Sequence, residues 1–495
     1  MNGPETTTLP MTALWRRHAQ QRPDAPAVTV DDDAPVTWRQ LHERTNQGAR
    51  VLAALGARRG DYVVIAVPNS VDFVEALLAV LKVGAVPVPV SADATTAEMR
   101  SVIGLTAPAV VIGREAAGLR PIRPMTIASL NPLLNEQSTN DLDDVIAPSY
   151  KAPMSGGSTG RAKIIRSGLP AEVTVIDGVP LMALTPAGMT MVMPGPLYHN
   201  LTMMGTLNGL TVGNHVLLQR TFDPEITIRQ VDRHRAAMAL VVPTHMGRIL
   251  QLPEATRAAY DLTSLTFLVH TGGPCPSRIK QGWIDWIGAD HVYELYSATE
   301  APAATLASGR DWLERPGTVG KPVMGEIKIL DDDGNPCAAS EVGQVWMRRP
   351  AGAARTYSYI GASSNETDAG WDTMGDLGSI DADGYLYLAD RRTDLILAGG
   401  ANIYPAEVED ALMHIPGIAE AVVVGVPDPD LGQHVHALVY RSDNALTVDM
   451  IRARLTDHLV RYKTPRTYEL VDHPLRNDAG KIRRQALSTQ RAHRS

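Results

Sequence analysis

Ten consecutive residues, Met154-Ser155-Gly156-Gly157-Ser158-Thr159-Gly160-Arg161-Ala162-Lys163, gather three glycines, three hydroxyls and an ammonium into one polar loop. Glycine lets backbone N–H groups turn toward a ligand with no Cβ in the way. Hydroxyls and a lysine add donors, so the loop suits a polyanion such as the phosphates of a nucleotide. It is not a Walker loop, because Gly160 is followed by Arg161 and Ala162 rather than Lys and Ser/Thr. The dinucleotide pattern Gly-x-Gly-x-x-Gly is absent as well. Alone, the stretch reads equally well as a flexible Gly/Ser surface turn.

Four other segments carry chemistry. Tyr293-Glu294-Leu295-Tyr296-Ser297-Ala298-Thr299-Glu300 follows a strand-like run and sets a hydroxyl beside a carboxylate. Glu300 there suits a hard divalent cation such as Mg2+, which prefers carboxylate oxygen; a solvated glutamate at a strand end is the alternative. Gly370-Trp371-Asp372-Thr373-Met374-Gly375-Asp376 puts an aspartate in a Gly-containing turn. A carboxylate can accept both protons of a ribose diol, and an Asx-type turn is the competing reading. Asp390-Arg391-Arg392-Thr393-Asp394 precedes Ala398-Gly399-Gly400-Ala401-Asn402. Finally, Arg476-Asn477-Asp478-Ala479-Gly480-Lys481-Ile482-Arg483 is either a basic, solvated tail or a lysine-bearing loop.

These side chains need a scaffold, and the chain alternates helical and strand patterns. Thr37 is placed to cap a helix running to about Leu55. Tyr62–Val67 reads as a strand, Val71–Lys82 as a helix and Ala85–Val90 as a strand, an order that favours a mostly parallel sheet covered by helices. The rhythm recurs in strands at His215–Leu218, Ala239–Val242 and Leu265–Val269. After Gly325 short strands and turns take over. From about Asp390 a smaller unit follows: a hairpin, a helix (Pro405–His414), strands (Ala419–Val426, Val435–Tyr440) and a helix (Val448–Leu459). The expected fold is α/β. A large domain of layered α/β subdomains spans 1–391 and a small, mobile α+β domain spans 392–495.

Composition narrows the class. Of the 495 residues 44% are hydrophobic and 20% charged, which describes a packed globular protein. A formal net charge of −8 gives no reason to expect a nucleic-acid surface. Two cysteines, Cys275 and Cys337, cannot build a disulfide framework or a zinc site. Neither a signal-peptide pattern nor a membrane span is evident: the most apolar window, Ala76–Val90, is broken by Lys82, Pro87 and Pro89. The expectation is a soluble, cytoplasmic protein.

Taken together, in order and spacing, the five motifs resemble the AMP-forming adenylating superfamily of acyl-CoA synthetases, peptide-synthetase adenylation domains and luciferases. The resemblance covers essentially the whole chain. It implies ATP, Mg2+ and coenzyme A as cofactors and co-substrates, and a small-molecule carboxylic acid as substrate. It also implies roles for individual residues. Ser155, Gly156, Gly157, Ser158, Thr159, Gly160 and Lys163 match the loop on the β- and γ-phosphates. Gly272, Gly273 and Pro274, with Tyr293, Glu294, Leu295 and Tyr296, match the segments around adenine. Thr299 matches the residue at the α-phosphate, Glu300 the Mg2+ ligand, and Asp376 with Arg391 the ribose pair. Lys481 matches the lysine that bridges the substrate carboxylate and the α-phosphate, where it would stabilise developing charge. His199, in Tyr198-His199, matches an aromatic-His segment near the acyl pocket, and a structural histidine is the plain alternative.

The family rotates its small domain after adenylation. The resemblance puts the hinge at Thr393 and has Gly399 and Gly400 line a tunnel for the thiol. Four departures stand out: Ala162 for a proline, Ser297 for a glycine, Leu475 for a proline and Asn477 for a threonine; none removes a charge the chemistry needs. The Ser-Gly-Gly-Ser-Thr-Gly form, with Leu197-Tyr198-His199-Asn200, is most similar to the bile-acid type and diterpenoid-acid ligase branch, which implies a bulky polycyclic acid. Met191, Met193, Met203, Met204 and Met246 could fill around such a group, or simply pack the core. Tyr-His-Asn offers no carboxylate for an α-ammonium, which disfavours amino acids. Transfer to a carrier protein instead of coenzyme A, aryl or fatty acids as substrate, and a homodimer stay open.

Overall fold

Thr37 begins its helix as the sequence predicts. Its hydroxyl accepts from the Gln40 amide while the Gln40 side chain accepts from the Thr37 amide, a reciprocal cap that opens Trp38–Ala54. Ser70 caps Val71–Lys82 by accepting from the Phe73 amide. These two helices pack on each other around Trp38, Leu41, Phe73 and Leu77, all at or below 1% exposed. The computed structural model describes residues 5–113, 123–125, 127–156, 162–180, 185–482 and 484–492.

The largest sheet is a crossover structure. Pro26–Val30, His215–Leu218, Thr190–Met193, Met238–Val241, Phe267–His270 and Val292–Ser297 are neighbours in that order, and all run parallel. Their apolar runs are buried, as a parallel sheet covered by helices requires. From Ala304–Ser308 onward the sheet continues antiparallel, through Thr318–Met324, Leu386–Arg391, Asp376–Ile380, Gly343–Arg348 and Glu326–Leu330. A second sheet pairs Val86–Pro89, Tyr62–Ile65, Val110–Ile112 and Arg123–Met125, all parallel. In parallel α/β sheets ligands lie beyond the carboxyl ends of the strands. Here those ends lead into Tyr198-His199, Gly272-Gly273 and Thr299-Glu300.

The small domain is a sheet of its own. Ile396–Ala398 and Ala401–Ile403 form the hairpin, and Ile418–Asp428 pairs antiparallel with Gly432–Arg441, which also pairs parallel with Thr467–Val471. The predicted helix Val448–Leu459 stops at Leu455, because the chain turns through Thr456 and Asp457 to bring the His458 amide onto the Leu455 carbonyl. One buried apolar cluster reaches from Ile249 and Trp283 of the large domain to Leu412 and Val423 of the small one. Among the described residues no helix is long and apolar enough to cross a membrane. Cys275 and Cys337 are free thiols.

Candidate active site

Met154–Gly156 and Ala162–Ser167 pair antiparallel, with Ser155 opposite Lys163. The intervening residues 157–161, among them Gly157, Ser158, Thr159 and Gly160, lie outside the described residues, as does the Ser155 side chain. Lys163 shows what the hairpin faces. Its Nζ lies 3.4 Å from Glu300 Oε1 and 3.8 Å from the centre of the Tyr359 ring. Tyr359, on the next strand, donates its hydroxyl to the same carboxylate oxygen at 2.6 Å. Burial and that hydrogen bond push the Tyr359 phenol far up, so it stays a donor.

Glu300 is therefore not a solvated glutamate at a strand end. It is 7% exposed and held between an ammonium and a hydroxyl. Among the described residues no cluster of three or more His, Cys, Asp or Glu side chains is arranged to hold a metal. One buried carboxylate beside an ammonium and a hydroxyl fits Mg2+ all the same, since that ion takes one or two carboxylates and completes its shell with phosphate oxygens and water.

A second ammonium sits behind this pair. Lys151, 5% exposed, donates to Asn200 Oδ1 at 2.6 Å and to the Thr299 carbonyl at 3.4 Å. It thus ties the start of the helix Asn200–Thr211 to the Thr299-Glu300 turn. Burial lowers its pKa to about 8, with Glu300 pulling the other way. Nothing in the sequence marked Lys151, which precedes the glycine-rich stretch without belonging to it.

On the other flank, Asp376 and Arg391 are cross-strand partners, with Arg391 Nε 3.2 Å from Asp376 Oδ1. Tyr296 donates its hydroxyl to Asp376 Oδ2 at 2.8 Å. Its strand neighbours are occupied otherwise. The Glu294 carboxylate makes a buried ion pair with Lys280, Tyr293 stacks on Phe267, and Leu295 packs against the core that holds Trp38 and Phe73. Ser297, the first departure in this segment, donates to the Ala303 carbonyl at 2.8 Å and pins the turn that presents Thr299.

Lys481 reaches this flank from the small domain. Asn477 folds the loop: its Oδ1 accepts from the amides of Ala479 at 3.1 Å and Lys481 at 2.8 Å. Gly480 closes it at φ +70, a conformation that favours glycine. Lys481 Nζ then donates to the Gly272 carbonyl at 2.7 Å. The residue keeps an exposed face, yet protein atoms crowd its ammonium. That desolvation lowers its pKa to about 8, helped by Arg391 and opposed by Asp376. Gly272 itself sits at φ +91, which turns its carbonyl toward the lysine without strain; Gly273 and Pro274 continue the same exposed or half-buried loop.

His199 immediately precedes the helix Asn200–Thr211, makes no side-chain bond to its first turn, and leans on Tyr198 at 4.3 Å between ring centres. Its Nε2 is buried with no hydrogen-bond partner among the described residues. Burial, and then the charge of Lys481, lower its pKa to about 4, so the ring is neutral near pH 7. The neutral ring therefore lies within the electrostatic reach of Lys481 without being bonded to it.

Two further groups of residues have definite places. Met191, Met193, Met203 and Met246 are fully buried, and the thioethers of Met193 and Met191 pack onto Gly205 and Gly209, where an added Cβ would come within 2.3 and 2.4 Å of them. These methionines fill the core rather than wait for a ligand; Met204 is partly buried against it. Gly399 and Gly400 are at an exposed hairpin tip at φ +57 and +81, with the Gly399 amide bonded to the Leu431 carbonyl of the small domain. Lys481 is bonded to Gly272 of the large domain while this hairpin tip is exposed.

The sequence fits a known family over both domains. The family described as AMP-binding enzyme matches residues 15–358, and the AMP-binding enzyme C-terminal domain matches residues 407–481. The feruloyl-CoA synthase of an Amycolatopsis species is 30% identical, over 94% of this chain and 96% of its own. A methyl-dioxo-octahydroindenyl-propanoyl:CoA ligase of Mycobacterium tuberculosis is 28% identical, over 96% and 97%. The solved structure of the anthranilate CoA ligase AuaEII with anthranoyl-AMP superimposes with a TM-score of 0.83 at 23% identity, covering 97% of each chain. That last likeness concerns the fold alone.

Proposed function

The chain belongs to the AMP-binding enzyme family, and on that premise we propose that it is an acyl-CoA synthetase. It would join a carboxylic acid to AMP at the expense of ATP and then pass the acyl group to coenzyme A. The observation that carries this reading is Lys481. A lysine from the small domain bonds to Gly272 of the large one, beside the Asp376–Arg391 pair and the unpartnered His199.

In the first half-reaction a substrate carboxylate oxygen attacks the α-phosphorus of ATP, and the bond to pyrophosphate breaks. Lys481 would hold the attacking carboxylate and offset the charge gathering on the α-phosphate. Thr299 would contact that phosphate. Lys163 and the Ser155–Gly160 stretch would hold the departing β- and γ-phosphates, with Gly272, Gly273, Pro274 and the Tyr293–Tyr296 strand around the adenine. Asp376 and Arg391 would hold the ribose. Bound at Glu300, Mg2+ would neutralise phosphate charge. In the second half-reaction the thiol attacks the acyl carbonyl and AMP leaves, with the small domain turned about Thr393 so that Gly399 and Gly400 line the thiol's path.

We assign the acyl group to the bulky, hydrophobic, polycyclic class. The form of the glycine-rich loop and the Leu197–Asn200 segment support this, and so does a relative named for a bicyclic propanoyl group. The competing reading is an aryl acid, favoured by the relative named feruloyl-CoA synthase. Pyrophosphate release measured with steroid, diterpenoid, aryl and fatty acids, each with coenzyme A or a phosphopantetheinylated carrier protein, tests both. Release that ignores polycyclic acids would overturn the substrate class. Thioester formed only on the carrier protein would overturn coenzyme A as acceptor.

A further inference from the structure

Arg248, on the helix Pro243–Leu250, belongs to none of the motifs above. Its guanidinium donates to Asp478 Oδ1 at 2.9 Å and to the Arg476 carbonyl at 2.9 Å, and lies 3.5 Å from Glu420 Oε1. All three acceptors are in the small domain, and two are in the loop that carries Lys481. One turn earlier, His245 Nε2 meets the Asp478 carbonyl at 2.5 Å. The Val242 amide donates to its Nδ1, so the proton sits on Nε2 and the ring donates to the loop. Phe222 stacks on His245 at 4.2 Å and lies under Arg248 at 6.0 Å, which fixes both side chains on the large domain.

The small domain answers with a matching device. Glu420 Oε2 accepts from the amides of Leu475 and Arg476 at 2.9 and 3.1 Å. A proline at 475, the residue expected there from the resemblance, has no N–H to give. Leucine at this position lets one carboxylate hold the base of the loop while its other oxygen faces Arg248. Gly480 completes the seat: a Cβ there would come within 3.1 Å of Thr244 Oγ1.

We propose that Arg248 and His245 are positioning residues that latch the 476–481 loop onto the large domain, and so set how often Lys481 is in place for adenylation. The idea rests on the two-half-reaction reading above. A guanidinium whose acceptors all sit across a domain boundary stabilises one orientation of the domains and contributes nothing to the other.

The experiment uses the full chain with Arg248→Gln and, from the other side of the contact, Asp478→Asn. Hydrogen–deuterium exchange is read on the peptide covering 476–482, with AMP alone as probe. We expect at least tenfold faster exchange in both variants, with exchange in the Phe267–His270 strand unchanged. Unchanged loop exchange overturns the latch. With an acid that the wild type adenylates, Arg248→Gln should slow pyrophosphate release at least tenfold and leave thioester formation from preformed acyl-adenylate within twofold. Equal loss of both half-reactions marks a merely structural role and also overturns it. If the wild type adenylates no acid, the functional reading fails, and loop exchange alone decides the latch.

Discussion

Lys481 and Gly272 lie 209 residues apart and meet at 2.7 Å across the boundary between the two domains. The contact makes the carbonyl a stand-in for the oxygen that the lysine would meet in a substrate carboxylate or phosphate. On the function proposed above, the charge most needed for adenylation arrives on the domain that would turn away for the second half-reaction.

Removing that charge should therefore be selective. Lys481→Ala is expected to lower ATP–pyrophosphate exchange about 10²–10³-fold, the loss usual for one donor aimed at developing charge. ATP binding, measured calorimetrically, should change little. Exchange near the wild-type rate would refute the assignment.

The depressed pKa of Lys481 sets a pH signature. The ammonium is present below about 8 and lost as pH rises through it. Adenylation should fall along an alkaline limb with its midpoint there. Lys151 titrates in the same range, so Lys481→Arg separates the two, because guanidinium keeps its charge. A limb that survives in Lys481→Arg would belong to another group.

Glu300 is the buried carboxylate between Lys163 and Tyr359. Glu300→Gln should reduce kcat/KM for MgATP by about 10–100-fold, the equivalent of a charged hydrogen bond of about 1.5–3 kcal/mol. The loss should be partly recovered at high Mg2+. Titrating Mg2+ at fixed ATP checks this, and an unchanged Mg2+ dependence would remove Glu300 from the metal.

The hairpin tip should matter only later. Gly400→Leu is expected to leave adenylate formation within about threefold and to block thioester formation. Because Gly400 sits at φ +81, Gly400→Ala is the control for backbone strain without bulk. Loss of both half-reactions in the leucine variant alone would show that the tip serves adenylation as well.

Much of the scaffold was legible because its signals are local. Thr37 and Ser70 mark helix starts by what their own side chains bond three residues on. The site was legible only through the order of its motifs, since the pairs Lys163–Glu300 and Tyr296–Asp376 span 137 and 80 residues. Lys151 and Arg248 escaped altogether. A lysine before a loop and an arginine on an amphipathic helix look like solubilising charges until the fold supplies their acceptors. For the methionines the sequence left two readings, and the structure takes the plainer one: Gly205 and Gly209 leave room for Met193 and Met191 in the core.

If the small domain turns as proposed, the apolar seam that runs from Ile249 and Trp283 into Leu412 and Val423 gives that motion a thermal character. Swinging the small domain away wets part of that seam, and exposing apolar surface raises heat capacity. An Eyring plot of the thioester half-reaction should then curve, while that of adenylation, which keeps the seam closed, stays straight. Cooling weakens apolar contact, so this chain should part with Lys481 more readily in the cold.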